Sequence, residues 1–237
     1  MHSKQIQLFI FPYAGGSIAS FKRVTDLLDQ RIDVVTVEYS GRGTRSKEPL
    51  AASFGEMLDD ATKYCMQRRK DTIPFAVMGY SMGCFLSYEA LAKKLIQGEA
   101  THYFLCAEIS PQTRRFELEN VQNPSDDWLI ERAKELGGLD ERLLNDERFR
   151  ELFLAPMVSD FRHLFEYRYK DYKKRIKTDT TFFYCEKDTP KADVQKWELL
   201  IDGRFDYHEM GMNHFFINQH FKEIANVINS CLIDKDC

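Results

Sequence analysis

The chain has 237 residues, 43% of them hydrophobic and 30% charged, with only 12 glycines and 7 prolines. These proportions exclude a disordered or collagen-like protein, a chain of this length needs no disulfide scaffold, and both suit one α/β domain over residues 1–237. A net charge of −4 argues against a nucleic-acid binder, whose affinity comes from a clustered excess of Lys and Arg.

The first apolar stretch, Leu8–Phe11, closes at Pro12, far short of the roughly 18 residues a membrane span needs. Nor does Met1-His2-Ser3-Lys4-Gln5 open a secretory leader, so the chain reads as cytoplasmic. Cys65, Cys84, Cys106, Cys185, Cys231 and Cys237 form no CxxC pair, so no zinc site or redox pair is expected, and most should be small core thiols.

β-branched and aromatic runs predict strands at 6–11, 32–39, 75–79, 102–109, 180–185 and 205–210. After the second, Ser53-Phe54-Gly55-Glu56 is a capping-box pattern, and Met57, Leu58, Ala61, Tyr64 and Cys65 follow at helical spacing. Phe85, Tyr88, Leu91, Ala92 and Leu95 predict a helix after the third strand, and 215–232 predicts a final one. Strand and helix in alternation imply a mostly parallel sheet covered on both faces. Residues of about 111–177 break the alternation with helical patterns alone: one opened by Ser125-Asp126-Asp127 and stopped at Gly137-Gly138, then about 141–153 and 157–172. This insertion is expected to form a lid over the active site.

The strongest chemical signal is Gly79-Tyr80-Ser81-Met82-Gly83 between a predicted strand and helix, the context of a nucleophile elbow. A serine needs an imidazole to take its proton and a carboxylate to orient that imidazole. Asp188 lies three residues beyond a predicted strand, and His214 is the one histidine on a strand-to-helix loop after it, so both suit the order Ser, Asp, His. For the oxyanion, Met82 would supply one backbone N–H. The loop Phe11-Pro12-Tyr13-Ala14-Gly15-Gly16-Ser17 would supply another, from Ala14 or alternatively Tyr13.

These residues resemble the stand-alone type II thioesterases that serve nonribosomal peptide and polyketide synthases, members of the α/β-hydrolase superfamily. The resemblance spans nearly the whole chain. Its marks are Phe11 to Gly16, Gly41-Arg42-Gly43 with Arg45 and Glu48-Pro49, the elbow continued by Tyr88-Glu89, Leu136-Gly137-Gly138, Asp160-Phe161 with Tyr167, Asp188-Thr189-Pro190, Trp197 and His214-Phe215-Phe216. Cys185 and Asn213 depart from the pattern, each standing where the family usually has glycine. The resemblance implies an α/β-hydrolase fold with Ser81, Asp188 and His214 as triad. It also implies hydrolysis of misprimed or stalled acyl thioesters on the phosphopantetheine arm of acyl or peptidyl carrier domains, with no metal or other cofactor.

Arg168, Lys170, Lys173, Lys174, Arg175 and Lys177 form a basic run beside the expected lid that could dock an acidic carrier domain, or simply be solvated. Small acyl thioesters should also be substrates, and a monomer is adequate for this size. Two other readings remain: a carboxylesterase or lipase using the same triad on oxygen esters, and a non-catalytic carrier-binding module.

Overall fold

The computed structural model describes residues 3–113, 124–137, 145–211 and 213–234. Its strands, in chain order, are β1 (Ile6–Phe11), β2 (Ile32–Thr36), β3 (Phe75–Tyr80), β4 (Ala100–Cys106), β5 (Ile176–Lys177), β6 (Asp179–Tyr184), β7 (Ile201–Asp202) and β8 (Phe205–Glu209). Six of them form one sheet in the order β2-β1-β3-β4-β6-β8, every pairing parallel.

Side-chain alternation along these strands divides the core in two. Phe9, Phe11, Phe75, Val77, Tyr103, Leu105 and Phe182 pack on one face against Met57, Leu58 and Ala61 of helix Phe54–Met66 and against Phe85 and Leu86 of helix Met82–Ala92. Leu8, Ile10, Ala76, Met78, Phe104 and Phe183 pack on the other against Phe21, Val24 and the apolar stripe Ile224, Ala225 and Ile228 of helix Phe221–Asn229. A central parallel sheet must be apolar on both faces because helices cover both. The architecture is that of an α/β-hydrolase.

All six predicted strands are present, the first with the expected bounds and the other five with one or both ends shifted. β4 stops at Cys106 because Ala107 takes a positive φ of 53°, and its N–H donates instead to the Phe183 carbonyl. The Ser53 cap is made, Oγ accepting from the Glu56 N–H at 3.1 Å, whereas the Glu56 carboxylate reaches back to the Ala52 N–H. The short parallel pair β5–β7 carried no sequence signal, being only two residues long on each side.

Between β4 and β5 the described residues form helices and no strand. Helix Asp126–Glu135 starts at the Ser125 cap, and Gly137, at φ +79°, follows its end; Gly138 lies outside the described residues. The two patterns expected at about 141–153 and 157–172 differ from what is seen. From Glu147 the chain runs as a single helical rod to Glu166, with a π-helical segment over Arg150–Leu154, while 141–144 lie outside the described residues. Pro156 sits near the start of the final α-helical segment, where its missing N–H falls at the π-to-α junction. The rod ends at Tyr167 (ψ 131°), so 167–172 is not helical. The phenols of Tyr167 and Tyr172 donate instead to the buried Glu89 carboxylate at 2.8 and 2.5 Å, a tertiary anchor that a local pattern does not contain.

Candidate active site

The register places the chain turns of interest along one sheet edge: Phe11 pairs with Gly79, Tyr80 with Cys106, and Tyr184 with Glu209. The loops leaving the C-terminal ends of β1, β3, β6 and β8 therefore converge, the usual place for a site in a parallel sheet.

Ser81 sits at the turn between β3 and helix Met82–Ala92 with φ 50° and ψ −119°, backbone values that cost energy for a residue with a Cβ. The turn holds because the Ser81 N–H donates to the Cys106 carbonyl at 2.8 Å and its own carbonyl accepts from the Cys84 N–H at 2.7 Å. Gly83 is required there: a Cβ would lie 1.9 Å from the Phe11 carbonyl oxygen, so the elbow helix presses directly on the loop after β1. Burial holds the nearby Cys84 thiol well above its ordinary pKa, protonated and unsuited to act as a competing nucleophile.

Asp188 lies in the turn after β6, where the N–H groups of Asp188 and Thr189 both donate to the Cys185 carbonyl, at 2.9 and 2.7 Å. Its Oδ2 is 2.7 Å from His214 Nδ1. His214 is 7% exposed, on the loop between β8 and the final helix. With Nδ1 held by a carboxylate, Nε2 remains as the proton acceptor. Cys185 is buried with its N–H on Thr189 Oγ1 at 3.3 Å, and Asn213 Oδ1 accepts from the Phe215 N–H at 2.9 Å. Both residues that depart from the family glycines thus take part in the turns they occupy, Cys185 through its backbone and Asn213 through its side chain; Met212 lies outside the described residues.

Ser81 and His214 line the same cavity, of about 160 Å³. Tyr13, Ala14 and Gly15 bound it from the β1 loop, while Ala133, Leu136, Phe149, Phe153, Met157 and Phe161 bound it from the inserted helices. The walls contributed by the insertion are apolar, as an acyl chain would need.

Met82 is the first residue of the elbow helix, so its N–H belongs to the unpaired first turn at the positive end of the helix. In the facing loop the N–H of Gly15 donates to Asp160 Oδ2 at 2.8 Å, Gly16 to the Tyr13 carbonyl at 2.8 Å, Ser17 to Ser20 Oγ at 3.0 Å and Ile18 to Glu38 Oε1 at 3.1 Å. Pro12 has no N–H, and its carbonyl accepts from Tyr39 Oη at 3.1 Å. With these amides engaged, those of Ala14 and Tyr13 are the loop's candidates for an oxyanion donor.

Two features escaped the sequence reading. Tyr80, beside Ser81, donates its phenol to the His214 carbonyl at 2.6 Å, and Arg42 makes a two-pronged ion pair with Asp160 on the insertion. The G-x-S-x-G pattern marks position 80 only as variable. Arg42 and Asp160 are family marks whose partnership needs two segments 118 residues apart to meet.

No residue of the basic run lines the cavity. Arg168 donates to the Phe165 and Tyr167 carbonyls, at 2.6 and 3.0 Å, and Lys173 pairs with Asp171 at 2.7 Å. Arg175 donates to the carbonyls of Glu198 and Ile201 and pairs with Asp202 at 3.4 Å. Lys177 is in β5, which precedes the N-terminal end of β6, opposite the catalytic edge. Lys170 and Lys174 are exposed.

A strained serine at a strand–helix elbow and a carboxylate-held histidine beneath a helical cover define the class of serine hydrolases on the α/β-hydrolase fold. The chain matches the thioesterase domain model over residues 6–232 and belongs to that family of enzymes, which hydrolyse thioesters. It is 26% identical over 234 residues to the medium-chain S-acyl fatty acid synthase thioesterase of Rattus norvegicus, covering 95% of this chain and 88% of the relative. It is likewise 26% identical over 218 residues to the gramicidin S biosynthesis protein GrsT of Aneurinibacillus migulanus, covering 90% and 83%. Among solved structures it resembles ClbQ from the colibactin nonribosomal peptide and polyketide pathway (TM-score 0.82, 20% identity, 96% of each chain). It also resembles the type II thioesterase BorB from the borrelidin cluster (TM-score 0.80, 24% identity, 96% of this chain and 92% of that one). At these identities the two likenesses speak for the fold.

Proposed function

We propose that the protein is an editing thioesterase that removes acyl groups from the phosphopantetheine arm of carrier domains in nonribosomal peptide or polyketide assembly. The single observation that carries this reading is the Ser81 elbow opening, with the Asp188-held His214, into one apolar cavity in a member of the thioesterase family. A relative named for gramicidin S biosynthesis supports the setting. The same reading places the enzyme in the cytoplasm beside its carrier partners; among the described residues no helix is long and apolar enough to cross a membrane.

In the first half-reaction Ser81 Oγ attacks the thioester carbonyl carbon while His214 Nε2 takes its proton and Asp188 fixes the imidazole tautomer. The carbonyl oxygen becomes an oxyanion facing the N–H of Met82 and that of Ala14 or Tyr13. The C–S bond then breaks, His214 returns the proton to the leaving thiolate, and an acyl-serine remains. In the second half-reaction His214 draws a proton from water, which attacks the ester and releases the acid with Ser81 restored. The chain's own groups complete both halves without a metal or redox cofactor.

The test is mass spectrometry of acetyl- and longer acyl-loaded carrier protein after exposure to the enzyme, with Ser81→Ala as control. Release that disappears in the variant is expected. Cleavage of simple oxygen esters with no clearance of the carrier would favour an esterase, and hydrolysis of neither, with the carrier bound tightly, a binding module.

A further inference from the structure

Asp160, on the inserted helix Ala155–Glu166, is fully buried, and Arg42, on the loop after β2, is 3% exposed. Arg42 Nη2 donates to Asp160 Oδ1 at 2.7 Å and Nη1 to Oδ2, a fork-on-fork pair. Oδ2 also accepts the Gly15 N–H at 2.8 Å. Gly15 has φ +77°, and a Cβ there would lie 2.8 Å from Met157 Cβ, so the loop backbone lies flush against the first turn of the same helix. Three segments distant in sequence thus meet on one carboxylate, directly after the two candidate oxyanion donors.

A buried ion pair is a poor device for stability alone, because removing two charges from water offsets most of their attraction. A carboxylate clamped by a planar guanidinium does have one other use: its lone pairs point in fixed directions. We propose that Asp160, held by Arg42, is a positioning residue for the oxyanion hole. It fixes the Gly15 amide and through it the orientation of the preceding Tyr13–Ala14 backbone. The inserted helices therefore do more than cover the acyl group, since one of them completes the geometry that stabilises the transition state. The inference rests on the acyl-transfer reading above and extends it to residues that touch no substrate.

Single substitutions at either residue leave a buried unpaired charge and invite unfolding. The test therefore compares two double variants, Arg42→Met with Asp160→Asn and Arg42→Met with Asp160→Leu. Asn and Leu are both neutral and share the same branched heavy-atom skeleton, but only Asn offers a carbonyl oxygen to the Gly15 N–H. Both are assayed for Tm, kcat and KM on a small acyl thioester and on the matching p-nitrophenyl ester. With both folded, kcat of the Leu form is expected to be about 10-fold or more below that of the Asn form, with KM within about 3-fold, on either substrate. Equal kcat in the two folded forms, or a difference confined to KM, overturns the proposal. If the Leu form does not fold, Asp160→Ala in the same Arg42→Met background replaces it in the comparison. A wild type that cleaves the ester but no thioester sinks the thioesterase reading, while the comparison still reports on Asp160 through the ester.

Discussion

The phenol of Tyr80 donates to the carbonyl oxygen of His214 at 2.6 Å, joining the residue before Ser81 to the histidine 134 positions later. Both side chains are buried, and the Tyr80 ring stands edge-on to the imidazole with centroids 6.2 Å apart. One strand end therefore sets Ser81 and steadies the loop of His214, the proposed base. Tyr80→Phe keeps the ring and leaves a buried carbonyl unpaired, which should cost about 1–3 kcal/mol of stability. It should also lower kcat about 10-fold by loosening the His214 loop, with KM little changed. Denaturant unfolding and steady-state kinetics on a small thioester measure the two effects, and unchanged kcat would show that the loop is held by other contacts.

The cavity's apolar wall should set the acyl length accepted. Ala133, 2% exposed, is the residue through which helix Asp126–Glu135 lines it, and its side chain is small. Ala133→Phe should fill that space, leaving acetyl thioesters nearly unaffected while hydrolysis of eight-carbon chains falls about 10- to 200-fold. Ratios of kcat/KM across a chain-length series check this. A uniform fall at every length would place the acyl group elsewhere.

Carrier docking, if the basic segment serves it, belongs to the residues with no evident structural task. Lys170→Glu with Lys174→Glu should raise KM for acyl-loaded carrier severalfold and leave small thioesters unchanged, since a screened surface charge acts on encounter rather than chemistry. Arg175→Glu should instead lower stability and affect both substrates, because Arg175 ties 175 to the Glu198 and Ile201 carbonyls. Kinetics at two salt concentrations distinguish these outcomes, and equal effects of the double variant on both substrates would count against docking there.

His102 supplies a pH dependence of stability. Burial on β4 pushes its pKa down to about 4, and its Nε2 lies 2.8 Å from Thr181 Oγ1. The unfolded chain takes up this proton near pH 6.5 and the folded protein only near pH 4. The contribution is therefore fully present above pH 6.5 and is lost as pH falls through that window, by at most about 3 kcal/mol. Urea unfolding at pH 7 and pH 4.5 should show the loss, and His102→Gln should reduce it. An identical slope in the variant would assign the acid sensitivity to other groups.

The local period of apolar residues determined which segments become strands and helices, because a strand or helix in a two-faced α/β sheet must match the spacing of the surface it covers. The candidate residues Ser81, Asp188 and His214 were legible for the same reason: each follows a strand whose end the pattern marks, and a triad would have a fixed order on this fold. Tertiary structure alone decided what those turns are attached to. Tyr80 to His214, Arg42 to Asp160 and Glu89 to Tyr167 and Tyr172 join positions that no periodic pattern relates. The break at Tyr167 goes with such contacts, through the anchoring of Tyr167 and Tyr172 on Glu89. A hydrogen bond between distant segments depends on where the whole sheet brings them, and propensity at either end carries no record of its partner.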